Sequence, residues 1–265
     1  MAKYHIEMAH INLPLSSSEY HTFGIFWNGV NYFDKCLAMG CASDCQIFER
    51  FSSALKWIGQ WYMSNGEIIH ILDDFLIIAP GKDLCKLYLD RFFYICKQFG
   101  TPRAPNKTVG PVQVLTFLGL ELDTIKYEAR LPQEQIVKCL EQIDLFLPRR
   151  KVTLKEIQML CGLLNFATKV VVAGRPFLRR LYDLTYGNLS IESSYQKVVE
   201  MICKFGKSFC LSLMENAFSW MQLGFPLIDL NFLLMLLKKL VMELFLEVLG
   251  FMEYEMKSGC IIILL

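Results

Sequence analysis

The chain has 265 residues, enough for one large domain or two modest ones with a sizeable core. Lysine and arginine number 27 against 26 aspartates and glutamates, which excludes bulk polycationic character but not a local basic groove. Apolar residues make up 54%, yet the longest apolar candidate, residues 230–251, is cut by Lys238, Lys239, Glu243 and Glu247, so no segment reads as a membrane span. The 10 cysteines show no CxxC or Cys/His zinc spacing. With no secretory signal in "MAKYHIEMAH", they read as reduced thiols, several of them buried, in an intracellular protein, cytoplasmic or nuclear.

Residues 4–15 and 24–33 read as short strands, the second pair joined by Asn28-Gly29, a strong hairpin signal. Over residues 45–62 the spacing of Ile47, Phe48, Phe51, Leu55, Ile58 and Tyr62 predicts a helix. Two apolar arms, "IIHIL" and "FLIIAP", then flank Asp73 and Asp74. Helical periodicity resumes over residues 84–99, and proline and glycine punctuate residues 100–111. "VLTFLGLELDT" follows as a strand. Beyond Pro132, Ile136, Leu140, Ile143 and Leu147 form a helical stripe, and Thr153 with Glu156 is a capping-box pattern opening another helix. Strands followed by helices in this order give an α+β fold.

The adjacent carboxylates need an explanation, because an ionised carboxylate in an apolar run is costly unless a cation or hydrogen bonds compensate. On a straight strand, neighbours point to opposite faces; at a hairpin connection Asp73 and Asp74 can sit together. Such a pair suits Mg²⁺, and a third carboxylate would complete a two-ion site for phosphoryl transfer. A solvated turn that carries two aspartates is the plain alternative.

Four segments, "LAMGCASDCQIFE", "ILDDFLIIAP", "TFLGLELDT" and "LCGLLNFATKVVVAGRPFLRRLYDL", occur in an order and spacing that resembles the reverse transcriptases of retrotransposons, most closely the tyrosine-recombinase (DIRS-like) branch. The resemblance covers residues 2–185. It implies a palm of antiparallel sheet and packed helices over residues 1–127, thumb and connection helices over 128–187, and a degenerate ribonuclease H-like remnant over 188–265, with no counterpart of the fingers. It implies two Mg²⁺ ions, an RNA template, a DNA primer and deoxynucleoside triphosphates as partners. Asp73 and Asp74 match the metal-binding pair of the palm hairpin, and Gly40 matches the glycine that touches template and incoming nucleotide. Lys107 falls near the triphosphate position, and Phe117, Leu118 and Gly119 match the primer grip. Arg149, Arg150 and Lys151 are the candidates for tracking the nucleic-acid backbone, with Arg175, Arg179 and Arg180 as further basic positions; a solvated charged face is the alternative for both groups.

The same resemblance exposes departures. His5 stands where the family has its first metal-binding aspartate, and His10 where an aromatic residue screens the sugar. A neutral imidazole suits softer ions than Mg²⁺ and removes a negative charge from between two dications. That loss is worth on the order of 10³-fold in rate. Glu7, two residues on, is the only nearby carboxylate that could substitute, and only with a shift along the strand of about 6–7 Å. Ile71 and Ala38 replace a tyrosine and a proline of the pattern. From about residue 230 the apolar tail can be re-read in a shifted frame as a Thr-Asp-Ala-Ser type strand, which implies a frameshift; an amphipathic or membrane-surface helix is the alternative. Together these imply a reverse-transcriptase fragment with impaired catalysis, a pseudoenzyme, or else a co-opted module that binds nucleic acid or protein without chemistry.

Overall fold

The computed structural model describes residues 1–41, 43–146 and 153–170, together with Arg175, Leu178, Arg179, Tyr182, Phe218 and Ser219. It divides into two compact units, the first covering Met1–Leu115 and the second beginning at Thr116. Both mix helices with small antiparallel sheets, the α+β architecture expected.

The first unit is built around a three-stranded sheet in the order β1 (Ala2–His5), β5 (Asp74–Ile78), β4 (Glu67–Ile71). Strand alternation sorts β1 by chemistry: Ala2 and Tyr4 are fully buried in the core, while Lys3 and His5 point to the opposite face. Tyr4 packs edge-on against Phe92 at 5.2 Å, and Phe75 lies 4.9 Å from the same ring. Helices α1 (Asp44–Trp61) and α2 (Lys82–Gln98) complete this core. The buried positions of α1 are Asp44, Phe48, Ser52, Leu55 and Gly59, a stripe of helical period. At Gly59 a Cβ would lie 2.7 Å from both Ile68 and Phe92, so the glycine is what lets α1 close onto the sheet and α2.

Strands β2 (Gly24–Trp27) and β3 (Val30–Phe33) form the expected hairpin. Asn28 and Gly29 have φ of 49° and 79°, the left-handed pair a type I′ turn requires. Residues 4–15 differ from expectation, because β1 ends at His5, the chain turns at Met8 with φ 50°, and a 3₁₀ turn occupies Ala9–Asn12. Glu7 is therefore exposed in a turn and not on the strand face beside His5.

From Val114 onward the strands run β6 (Val114–Phe117), β7 (Leu120–Asp123), β8 (Glu128–Arg130) and β9 (Phe218–Ser219) in one sheet. "VLTFLGLELDT" is thus a hairpin broken at Leu118-Gly119, both left-handed, rather than one strand. The sequence reading missed β8, a three-residue strand with no apolar alternation. Its Arg130 pairs with Glu121, Asp123 and Glu128, which substitutes for the missing apolar face. Helix α3 (Gln133–Phe146) buries Ile136, Cys139, Ile143 and Phe146, so the stripe lies one residue off Leu140. Helix α4 (Leu154–Ala167) opens with the expected capping box between Thr153 and Glu156. All seven described cysteines are free, and Cys85, Cys96, Cys139 and Cys161 are buried. Among the described residues no helix is long and apolar enough to cross a membrane.

Candidate metal and nucleic-acid site

The two-residue connection Leu72-Asp73 joins β4 to β5, with Ile71 paired to Asp74. Asp73 sits in the turn and Asp74 opens the strand, so the two carboxylates reach one side of the sheet as the hairpin reading requires. The β1–β5 register sets His5 directly opposite Asp74 and Lys3 opposite Leu76, one diagonal step away. His5 Nδ1 lies 2.8 Å from Asp74 Oδ1, and Lys3 Nζ lies 3.1 Å from the same oxygen. His5 Nε2 lies 3.3 Å from Asp73 Oδ2. Lys107 Nζ lies 3.2 Å from the same nitrogen, so both nitrogens of the His5 ring have polar partners.

Lys107 arrives on a loop whose backbone is laced to the free edge of β1. The Val109 amide donates to the Lys3 carbonyl at 2.9 Å, and the Ala104 amide to the His5 carbonyl at 3.0 Å. A second support comes from α1. Leu72 adopts a left-handed φ of 50°, a conformation that costs a non-glycine residue about 1 kcal/mol. Its amide is held by Glu49 Oε2 at 2.9 Å, while Glu49 Oε1 lies 3.1 Å from His70 Nε2. Five residues earlier on the same helix, buried Asp44 accepts from the Gly40 amide at 2.8 Å. Helix α1 thus pins both the acidic hairpin and the Gly40 loop.

The other expected site residues fall as follows. Gly40 has φ +93° with open space where a Cβ would lie, so its backbone conformation, not crowding by the chain itself, calls for glycine. The His10 ring is buried and stacked on Phe48 at 5.1 Å, with Nδ1 3.6 Å from Asp44, too long for a hydrogen bond. In the second unit Phe117 is buried and Gly119 turns the β6–β7 hairpin; a Cβ on Gly119 would lie 2.8 Å from Phe166 Cζ. Arg149, Arg150, Lys151 and Arg180 lie outside the described residues, as does the tail from about residue 230. Arg175 and Arg179 are exposed. Sequence reasoning missed Lys3, Asp44 and Glu49. Lys3 was within reach, because Lys3-x-His5 places both on one face of a strand.

His5, Asp73 and Asp74 each offer one ligand atom within 4.8 Å of the others, so a metal ion could be held here. The residues do not fit a pair of Mg²⁺ ions. Hard dications want carboxylate oxygen, and among the described residues the cluster offers two carboxylates, one of them already paired to the Lys3 ammonium. The imidazole faces Asp74 with one nitrogen and Asp73 with the other, on opposite sides of the ring, and cannot bridge two ions as a carboxylate does.

The fold is similar to solved structures of foamy viral protease-reverse transcriptase. A dRH form in complex with double-stranded DNA has a TM-score of 0.62 at 19% identity, over 78% of this chain and 35% of that one. A complex with RNA/DNA hybrid gives 0.61 at 20% identity, over 77% and 27%, and a complex with double-stranded DNA gives 0.59 at 19%, over 78% and 41%. This chain therefore spans well under half the length of those proteins, and the likeness is one of fold. No protein-family model matches the chain, and no curated protein matches it in sequence.

Proposed function

We propose that this chain is a reverse-transcriptase-like fragment of a retroelement, a palm followed by thumb and connection helices, that binds nucleic acid without polymerising it. The tyrosine-recombinase type of retrotransposon is the finer assignment, carried by the four sequence segments. One observation carries the loss of chemistry: His5 occupies the position across from Asp74 where a third carboxylate would complete the site, and both of its nitrogens are already engaged. The foamy viral complexes with DNA and RNA/DNA hybrid support nucleic acid as the partner of this fold. Deoxynucleoside triphosphates would have no productive site on this reading.

Primer extension on an RNA template, with Mg²⁺ or Mn²⁺, tests the proposal on the unmodified chain and on His5→Asp. No product is expected from the unmodified chain, and extension by it would overturn the reading. Binding to an RNA–DNA hybrid should fall with salt. Removing Arg149 and Arg150 together should lower the slope of log affinity against log salt by about 2. A slope unchanged by that double substitution would move the interface elsewhere; no binding at any salt would favour a protein partner instead.

A further inference from the structure

The family's acidic centre relies on metal ions to hold its carboxylates together, and this chain carries its own cations at the same place. We infer that Lys3 and Lys107, linked through the His5 ring, form a built-in counter-cation set for Asp73 and Asp74, making this centre independent of divalent metal. The contacts form a continuous line: Lys107 Nζ to His5 Nε2 at 3.2 Å, His5 Nδ1 to Asp74 Oδ1 at 2.8 Å, and Asp74 Oδ1 to Lys3 Nζ at 3.1 Å. Asp73 closes it against the Nε2 edge of the ring at 3.3 Å.

Charge supports the same assignment. The Lys3 ammonium pairs with Asp74 directly, and the Lys107 ammonium reaches the acidic pair through the His5 ring. With an aspartate in place of His5 and no lysines, the same site would carry three negative charges. The Lys3–Asp74–His5 end of the network is partly shielded from water, with side chains 18%, 21% and 11% exposed, which strengthens those pairings, whereas Lys107 is exposed. A dication approaching Asp74 Oδ1 would have to displace the Lys3 ammonium or stand beside it, and like charges at that range repel strongly. The placement follows from the fold, because Lys3 and His5 share a strand face and the loop hydrogen-bonded along β1 delivers Lys107.

The inference rests on the functional reading only for the location of the acidic pair. Its test is Mn²⁺ binding followed by electron paramagnetic resonance, with the thermal unfolding midpoint measured in EDTA, Mg²⁺ or Mn²⁺. In the unmodified chain the midpoint should be the same in all three, and Mn²⁺ should stay free at about 10 mM or below. The double substitution Lys3→Gln with Lys107→Gln should lower the midpoint in EDTA, restore it with Mn²⁺, and tighten Mn²⁺ binding at least about tenfold. Where the double variant does not fold, Lys3→Gln alone should give the same signs with smaller amplitude. Submillimolar Mn²⁺ binding by the unmodified chain would overturn the inference, as would lysine variants that bind no more tightly than the parent. Primer extension separates the two readings. Metal binding without extension sinks this inference alone, and extension by the unmodified chain sinks the functional reading.

Discussion

The hairpins β2–β3 and β4–β5 start from similar local chemistry. Each joins short apolar strands through a two-residue turn, and in each the first turn residue is left-handed, Asn28 with φ 49° and Leu72 with φ 50°. Yet every residue of β2 and β3 is exposed, Phe26 at 70% and Trp27 at 64%, while Phe75, Leu76 and Ile77 of β5 are fully buried. The difference lies in neighbours. The second hairpin has β1 on one edge and α1 and α2 across its core face, whereas among the described residues the first has Tyr20 stacked on Phe33 at 5.2 Å. A hairpin signal in sequence specifies a turn and its pairing; what covers the strands is a separate, long-range matter.

The comparison can be broken most easily at its two phenylalanines. Phe75→Ala should cost about 3–5 kcal/mol in urea unfolding, because it empties a site shared with Tyr4 and Phe92. Phe26→Ala should stay within about 0.5 kcal/mol. Equal losses at the two sites would mean the first hairpin is covered after all. The turn supports come next. Glu49→Ala should cost about 1–3 kcal/mol by leaving the Leu72 amide without its partner, and it should broaden the NMR resonances of Asp73 and Asp74.

Two glycines sharpen the distinction between turn strain and packing. Gly29→Ala meets only the left-handed penalty, about 1 kcal/mol, since nothing lies within 4 Å of the added carbon. Gly119→Ala in the second unit meets the same penalty plus Phe166 at 2.8 Å, and should lose a further 1 kcal/mol or roughly that. Two further effects are read through pH. Burial pushes the Cys96 thiol from 9.0 up to about 11, so its folded form holds a proton that the unfolded chain releases first. Stability from Cys96 is therefore complete below pH 9.0 and lost as pH rises toward about 11, which urea midpoints across that window will read. Asp123 has the opposite sign. Burial raises it, but hydrogen bonds from the Lys126 and Ile125 amides and the charge of Arg130 outweigh that and hold it below its ordinary 3.8, so its contribution fades only as pH falls below that value. Exposed apolar hairpin surface also predicts self-association, and Phe26→Ser should raise the concentration at which the protein precipitates without changing its unfolding midpoint.

Much of this is legible in the sequence. Asn28-Gly29 named its turn because few residues tolerate left-handed φ, and the Thr153–Glu156 capping box depends only on local spacing; α1 forms as expected, but Ile47 and Tyr62 of its expected stripe are exposed while Ser52 and Gly59 are buried. The acidic pair stood out because carboxylates in an apolar run demand a partner. Less legible were elements whose stability is not apolar, such as β8, held by the carboxylate partners of Arg130. The early end of β1 was hidden for a related reason, since the alternation through Ile6 continues past the point where backbone pairing to β5 stops.

Local spacing alone specifies the Asn28-Gly29 turn, the existence of the helices and the adjacency of Asp73 and Asp74. Only the tertiary structure decided what neutralises the pair. His5 meets Asp74 across 69 residues of chain and Lys107 across 102, through a strand register and a loop stitched to a sheet edge. Periodicity reports which face of an element is apolar, but a charge finds its counter-charge only where distant backbone segments pair, and that pairing is set by the packing of the whole unit.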